Sequence, residues 1–169
     1  MDDARAIGEV QIASWQSAYA GMIPQEHLDG LSIDVRVGVW EPYIAGGARP
    51  GLLVAVDEDR VVGFVGLGAS RDADAGPTTG EVGALYLAPS HWRRGIGEAL
   101  VAAGLPLLAD DGFTEATLWV LARNERGRAF YEATGWALDG AECDEVIGGQ
   151  VSHEVRYRRR LTPPSSASR

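Results

Sequence analysis

The chain has 169 residues, of which 46% are hydrophobic and 23% charged, and its formal net charge is −9. That length and balance suit one soluble globular domain around a single core. The negative charge disfavours a general nucleic-acid binder, whose affinity rests on a field of positive charge, and no apolar run is long enough to span a membrane.

Ile7, Val10, Ile12, Trp15, Ala18 and Tyr19 recur at roughly helical spacing and predict a first helix. Gly21 interrupts the pattern, and Pro24 fits the first turn of a short helix reaching Leu28. A third helix is expected over Ile33–Ile44, with Ser32 as N-cap. The small-residue stretch Ala45–Gly51 reads as a loop, and from there the period changes. Leu52–Val56 and Val61–Leu67 read as strands joined by the charged turn Asp57–Arg60. Ser70–Gly80 is a second loop, followed by a strand over Glu81–Leu87 that ends at Ala88-Pro89. A helix follows from Gly95 to about Asp111, with Leu100, Val101, Leu105 and Leu108 on one side; Pro106 lies inside it and should kink or shorten it. Thr114–Leu121 is the next strand, and Arg126–Thr134 is a helix ended by Gly135 at its C′ position. Strands near Trp136–Cys143 and Val151–Arg158 complete the order, which defines a mixed α+β sheet. The domain is expected over residues 1–161, with the Pro/Ser-rich 162–169 as a disordered tail.

Cys143 is the only cysteine. No internal disulfide can form, and a reducing compartment is expected. MDDARAIGEV lacks a signal-peptide pattern, so the expected location is cytoplasmic.

The most informative stretch is HWRRGIGEAL, His91–Leu100. A strand, a short Pro-containing loop, Arg93-Arg94-Gly95-Ile96-Gly97 and a helix start follow one another. A helix N-terminus offers unpaired N–H groups and partial positive charge, glycines let a ligand approach the backbone, and arginines add charge-assisted hydrogen bonds. The chemistry favours a pyrophosphate. The dinucleotide pattern Gly-x-Gly-x-x-Gly fails, because the third position is Leu100, and no Gly-Lys-Ser/Thr follows for a P-loop.

Leu85-Tyr86-Leu87-Ala88-Pro89 followed by Arg93-Arg94-Gly95-Ile96-Gly97 resembles the acyl-CoA-binding motif of the GNAT N-acetyltransferase superfamily. The family usually has Gln or Arg three residues before the first glycine, where this chain has Trp92. A second segment, LWVLARNERGRAFYEATGW, is similar to the family's later motif, with Asn124 and Tyr131 at its spacing. The resemblance runs from about Leu52 to Trp136 and is looser in the N-terminal helices.

The resemblance implies an αβα sandwich whose central, mostly antiparallel sheet splays into a V between the Glu81–Leu87 and Thr114–Leu121 strands. Acetyl-CoA is the implied co-substrate, with no metal. Leu85, Tyr86 and Leu87 would hold the pantetheine arm, Arg93, Arg94, Gly95, Ile96, Gly97 and Glu98 would wrap the pyrophosphate, and Asn124 would bond the pantetheine or cap the helix after it. Tyr131 is the implied acid for the departing thiolate and Glu81 the implied base, often through a water. Trp119 stands where some relatives acting on protein N-termini carry a glutamate, so their arrangement does not transfer. Trp15, Tyr19, Met22 and Glu26 are candidates for an aromatic and acidic wall around an acceptor, and Glu142, Asp144, Glu145 and Glu154 could add negative charge there. Glu125, Glu132, His91 and His153 read as surface or helix-face groups, and Cys143 lacks a Cys/His pattern for covalent catalysis.

The expected activity is acetyl transfer from acetyl-CoA to a primary amine by direct attack in a ternary complex. The alternative is an acyl-CoA-binding sensor that has lost catalysis. The acceptor, an amine-bearing small molecule or peptide, is not legible, since such loops vary most within a fold. A homodimer is a candidate assembly.

Overall fold

A computed structural model describes residues 3–47 and 50–163. The tail expected over 162–169 therefore lies, from residue 164 onward, outside the described residues, as do residues 48 and 49 of the first loop. The elements are α1 (Asp3–Ala18), α2 (Gln25–Asp29), α3 (Ile33–Ala45), β1 (Gly51–Asp57), β2 (Arg60–Ala69), β3 (Thr79–Leu87), a 3-10 turn (Pro89–His91), α4 (Ile96–Asp110), β4 (Glu115–Leu121), α5 (Glu125–Ala133), β5 (Ala137–Ile147) and β6 (Gln150–Arg160). The six strands form one sheet in the order β1-β2-β3-β4-β6-β5.

Alternation along the strands divides the core between the two faces of this sheet. Val65, Leu67, Val82, Leu118 and Tyr157 join Leu100 and Leu108 of α4 on one face, with Phe130 and Tyr131 of α5 packed against them. Phe64 points to the other face and meets Ile7 and Val10 of α1 and Trp40 of α3. A buried hydrogen bond of 2.8 Å from the Trp40 indole to Gln11 locks α3 onto α1. The result is the expected helix–sheet–helix sandwich. Leu108 is fully buried, and truncating such a side chain to alanine costs about 2–5 kcal/mol.

Four of the five strand pairings are antiparallel. The exception positions the site. β3 and β4 run parallel and pair only at Thr79–Glu115, Gly80–Ala116 and Glu81–Thr117. Beyond Glu81 and Thr117 the strands separate, giving the V-shaped splay at the centre of the sheet.

Three local expectations change. Ser32 does precede α3, but its side chain makes no capping bond. Pro106 does not shorten α4, which continues to Asp110; it lies on the exposed face together with Ala102, whose carbonyl loses its i+4 donor but remains open to water. β5 continues four residues past Cys143, to Ile147. Gly148 and Gly149, at φ 59° and 80°, then close a two-residue hairpin of the twist that antiparallel strands favour.

Candidate active site

The splay opens into a cleft of about 430 Å³. One wall is β3 from Val82 to Leu87, and the opposite wall includes Trp119 and Val120 of β4. Past their last shared pair, both strands leave backbone N–H and C=O groups facing the gap, which a ligand with amide groups can take up.

At one end of the cleft lies the start of α4. Gly95 caps the helix in the left-handed region at φ 78°, and Arg93 before it has φ 61°. These turns aim the first amides of α4 into the cleft, where an anion meets both their donors and the helix dipole. A side chain at Gly97 would meet only ordinary contacts at 3.5 Å, from Leu87 and Phe130. Core packing therefore does not require glycine there; the missing side chain keeps the amides open. Arg93, Gly95, Gly97 and Glu98 line the cleft, whereas Arg94 and Ile96 do not.

At this end Arg126 escaped the sequence reading, and Trp92 entered it only as a departure from the family pattern. The Arg126 guanidinium lies 3.7 Å from the Trp92 ring centroid, and the Trp92 indole donates to the Leu87 carbonyl at 3.0 Å. Both line the cleft. Trp92 thus stands where the family pattern has a polar side chain and serves as the platform for a cation from α5. Burial, then the neighbouring Arg93 charge, lowers the Arg126 pKa, a cost that a bound anion would offset.

In mid-cleft, Asn124 and Tyr131 both face the opening. The Asn124 side chain accepts a hydrogen bond from the Gly127 amide at 3.0 Å, so it caps α5 as well as facing the cleft. Tyr131 packs against Phe130, Trp136 and Tyr157. Burial, then the charge of Tyr86, pushes its phenol pKa well up. Its hydroxyl therefore stays protonated and remains a hydrogen-bond donor.

Glu81 occupies a different environment. It is 6% exposed and is not among the cleft-lining residues. Its carboxylate accepts from Arg71 Nη2 at 2.8 Å, Arg71 Nε at 3.1 Å and the Arg71 amide at 3.2 Å. Beside it, Arg156 is buried among three carboxylates, bonding Asp72 at 3.0 Å, Asp74 at 2.7 Å and Asp139 at 2.8 Å. Asp72 also accepts from the Trp119 indole at 2.8 Å. This network ties the β2–β3 loop to β6 and fixes the orientation of the cleft residue Trp119.

Of the proposed acceptor wall, Tyr19 lines the cleft, while Trp15, Met22 and Glu26 do not. Trp15 and Met22 pack with Tyr19 around Ile23, Leu28 and Leu121. Glu132 accepts from Tyr157 at 2.7 Å, and His153 lies between Asp144 and Glu142. His91 lines the cleft and pairs with Asp57 at 3.1 Å. No helix among the described residues is long and apolar enough to cross a membrane.

A sheet opened between two parallel strands, with an anion-ready helix start at one end and a phenol beside the gap, is the architecture of an acyltransferase. The sequence profile of the acetyltransferase (GNAT) family matches residues 12–136, and the chain belongs to that family. An uncharacterized N-acetyltransferase of Bacillus subtilis, YuaI, is 32% identical over 134 residues, covering 79% of this chain and 74% of that protein. A mycothiol acetyltransferase of Kocuria rhizophila is 39% identical over 95 residues, covering 53% of this chain but only 31% of that longer protein. Among solved structures, PaiA N-acetyltransferase of Thermoplasma acidophilum, in complex with coenzyme A, superimposes with a TM-score of 0.69 at 20% identity, covering 94% of this chain and 93% of that one. YncA of Salmonella typhimurium, solved with acetyl-CoA, gives 0.70 at 19% identity, covering 98% and 92%. At those identities the structural matches establish the fold.

Proposed function

We propose that the chain transfers an acetyl group from acetyl-CoA to a primary amine by direct attack within a ternary complex. The observation that carries this reading is the continuity of one cleft from the open amides of α4, through the split between β3 and β4, to the Tyr131 hydroxyl. Solved relatives of the same fold hold coenzyme A or acetyl-CoA. The residues present fit that co-substrate: the Gly95–Glu98 amides with Arg93 and Arg126 for the pyrophosphate, and the free edges of Leu85 and Leu87 for the pantetheine amides. Asn124 stands beside that path.

The chemistry needs a neutral amine, a polarised carbonyl and a donor for sulfur. A thiolate is a fair leaving group, and the protonated Tyr131 hydroxyl supplies a hydrogen bond to it as the C–S bond breaks. Glu81, expected as the base, is fully engaged by Arg71; in our reading it holds the β2–β3 loop that carries Asp72.

The test compares CoA release by the natural chain and by Tyr131→Phe with polyamine, amino acid, aminoglycoside and lysine-peptide acceptors. About a hundredfold loss of kcat is expected for the variant, at the lower end of general-acid contributions, with acetyl-CoA binding retained. Tight acetyl-CoA binding without release to any amine would establish the sensor alternative instead.

A further inference from the structure

With Glu81 committed to Arg71, a different carboxylate must meet the acceptor amine. Glu154 lies on β6 directly opposite Leu121 of β4 and Cys143 of β5. Cross-strand partners share a sheet face, so Glu154 lies on the face where Leu121 packs beneath Tyr19 and Met22. Trp119, two residues before Leu121, is on that same face and lines the cleft. Glu154 is half-buried and makes no ion pair among the described residues; its Oε2 accepts a weak hydrogen bond from the Cys143 thiol at 4.0 Å. A half-buried carboxylate without a cation is costly unless a ligand supplies one.

We propose that Glu154 is the acceptor-binding carboxylate, receiving the ammonium group of the amine substrate and taking its first proton. This rests on the acetyl-transfer reading above. The groups facing Glu154 are Glu145 and Cys143 from β5, Tyr19 from the end of α1 and Tyr86 from β3, with Arg156 two residues along β6 already held by its three aspartates. Burial, then Glu145, raises the Glu154 pKa, which makes it a better proton acceptor than an ordinary carboxylate. Glu154 is not itself among the residues that line the cleft, whereas Tyr19 and Tyr86 are; burial first, and the nearby Glu154 charge among the lesser causes, raise the pKa of both phenols, which sets the carboxylate beside the cleft's acceptor side.

The proton balance is complete. An ammonium proton passes to Glu154, leaving a carboxylic acid and a neutral amine. The nitrogen lone pair forms the N–C bond as the C–S bond breaks, and the sulfur keeps that electron pair. The second nitrogen proton is lost as the amide forms and replaces, at the Tyr131 hydroxyl, the proton that reaches sulfur. Glu154 then returns its proton to water. The net products are the amide, the CoA thiol and one proton.

The experiment measures kcat/KM against pH for the natural chain, Glu154→Gln, Glu154→Asp and Glu81→Gln, using spermidine and a lysine-containing peptide as acceptors. A carboxylate whose pKa is raised in the folded state weakens folding at neutral pH, so Glu154→Gln should melt no lower than the natural chain. Expected is a loss of about a hundredfold in kcat/KM for the amine at neutral pH, with acetyl-CoA affinity unchanged. The acid limb of the profile disappears in Glu154→Gln, returns in Glu154→Asp and persists in Glu81→Gln. If the natural chain acetylates an amine and Glu154→Gln does so equally well with the same acid limb, Glu154 has no such role, while the acetyl-transfer reading stands. If the natural chain releases CoA to no amine, both fail.

Discussion

The ends of the cleft that we propose for donor and acceptor are built in different ways. At the donor end, the working groups are mostly backbone: the amides at the start of α4, two positive-φ turns and two unpaired strand edges, supplied by residues within about one β–α unit. At the acceptor end they are side chains drawn from distant segments. Tyr19 comes from the residue after α1, Asp72 from the β2–β3 loop, Trp119 from β4, and Arg156 and Glu154 from β6. Backbone geometry is written in local sequence; a meeting of side chains across the sheet is not. The donor end can therefore keep one co-substrate while the acceptor end changes.

This contrast predicts different failures. The largest effect belongs to Arg156→Leu, which removes the buried guanidinium shared by Asp72, Asp74 and Asp139 and leaves the mostly covered Asp72 without its ion pair, while Asp139 keeps Arg158. Removing one partner of a buried ion network costs about 3–5 kcal/mol, read as a shift in urea midpoint. Its pH dependence sharpens the point. The Arg156 hydrogen bond holds the Asp74 pKa down at about 2. A depressed carboxylate contributes stability that is present above its ordinary pKa and lost as pH falls through the folded one. The natural chain should keep this contribution until strongly acid pH, and the variant should lack it throughout.

A donor-end change should instead spare folding more and binding less. Gly95→Ala places a Cβ at φ 78°, a left-handed conformation that costs about 1–2 kcal/mol outside glycine. As the loop relaxes, acetyl-CoA affinity should fall about tenfold, the equivalent of 1.4 kcal/mol, measured by titration calorimetry. A loss of stability as large as that of Arg156→Leu, with acetyl-CoA affinity unchanged, would break the comparison.

Asn124→Ala combines the two kinds of effect. Loss of the α5 cap should lower stability by about 1 kcal/mol, and acetyl-CoA affinity should fall with it because the side chain also faces the cleft. The smallest effect is at His153 on the hairpin. The Asp144 hydrogen bond raises its pKa, so its contribution to stability is present below the ordinary imidazole pKa and lost as pH rises through the higher folded value. His153→Asn should remove a slight softening of the thermal melt over that window.

The same division governs what was legible in the sequence. The α4 entry could be read from Gly95, Gly97 and the strand before them, because a left-handed turn into a helix start is local geometry. Asn124 as the cap of α5 could be read for the same reason. Pro106 leaves α4 its full length, because its cost depends on whether the freed Ala102 carbonyl faces water, and burial is a tertiary property. The role first given to Glu81 depended on whether Arg71, ten residues earlier in a loop, folds back onto it. The two partners of the Trp92–Arg126 stack lie 34 positions apart in sequence, with nothing in either segment to announce the contact. Glu154 was legible only as one charge among several on a hairpin; its place opposite Leu121 requires the β4–β6 register.

The three-pair register between β3 and β4 also bears on solubility. An unpaired strand edge at a protein surface invites other chains to add strands, and proteins usually blunt such edges with charge or bulges. Here the edges freed between β3 and β4 face each other across the cleft, between helices on both faces of the sheet. The protein thus keeps an unsatisfied strand available for a slender ligand while denying it to another polypeptide, so the site's stickiness need not become a route to aggregation.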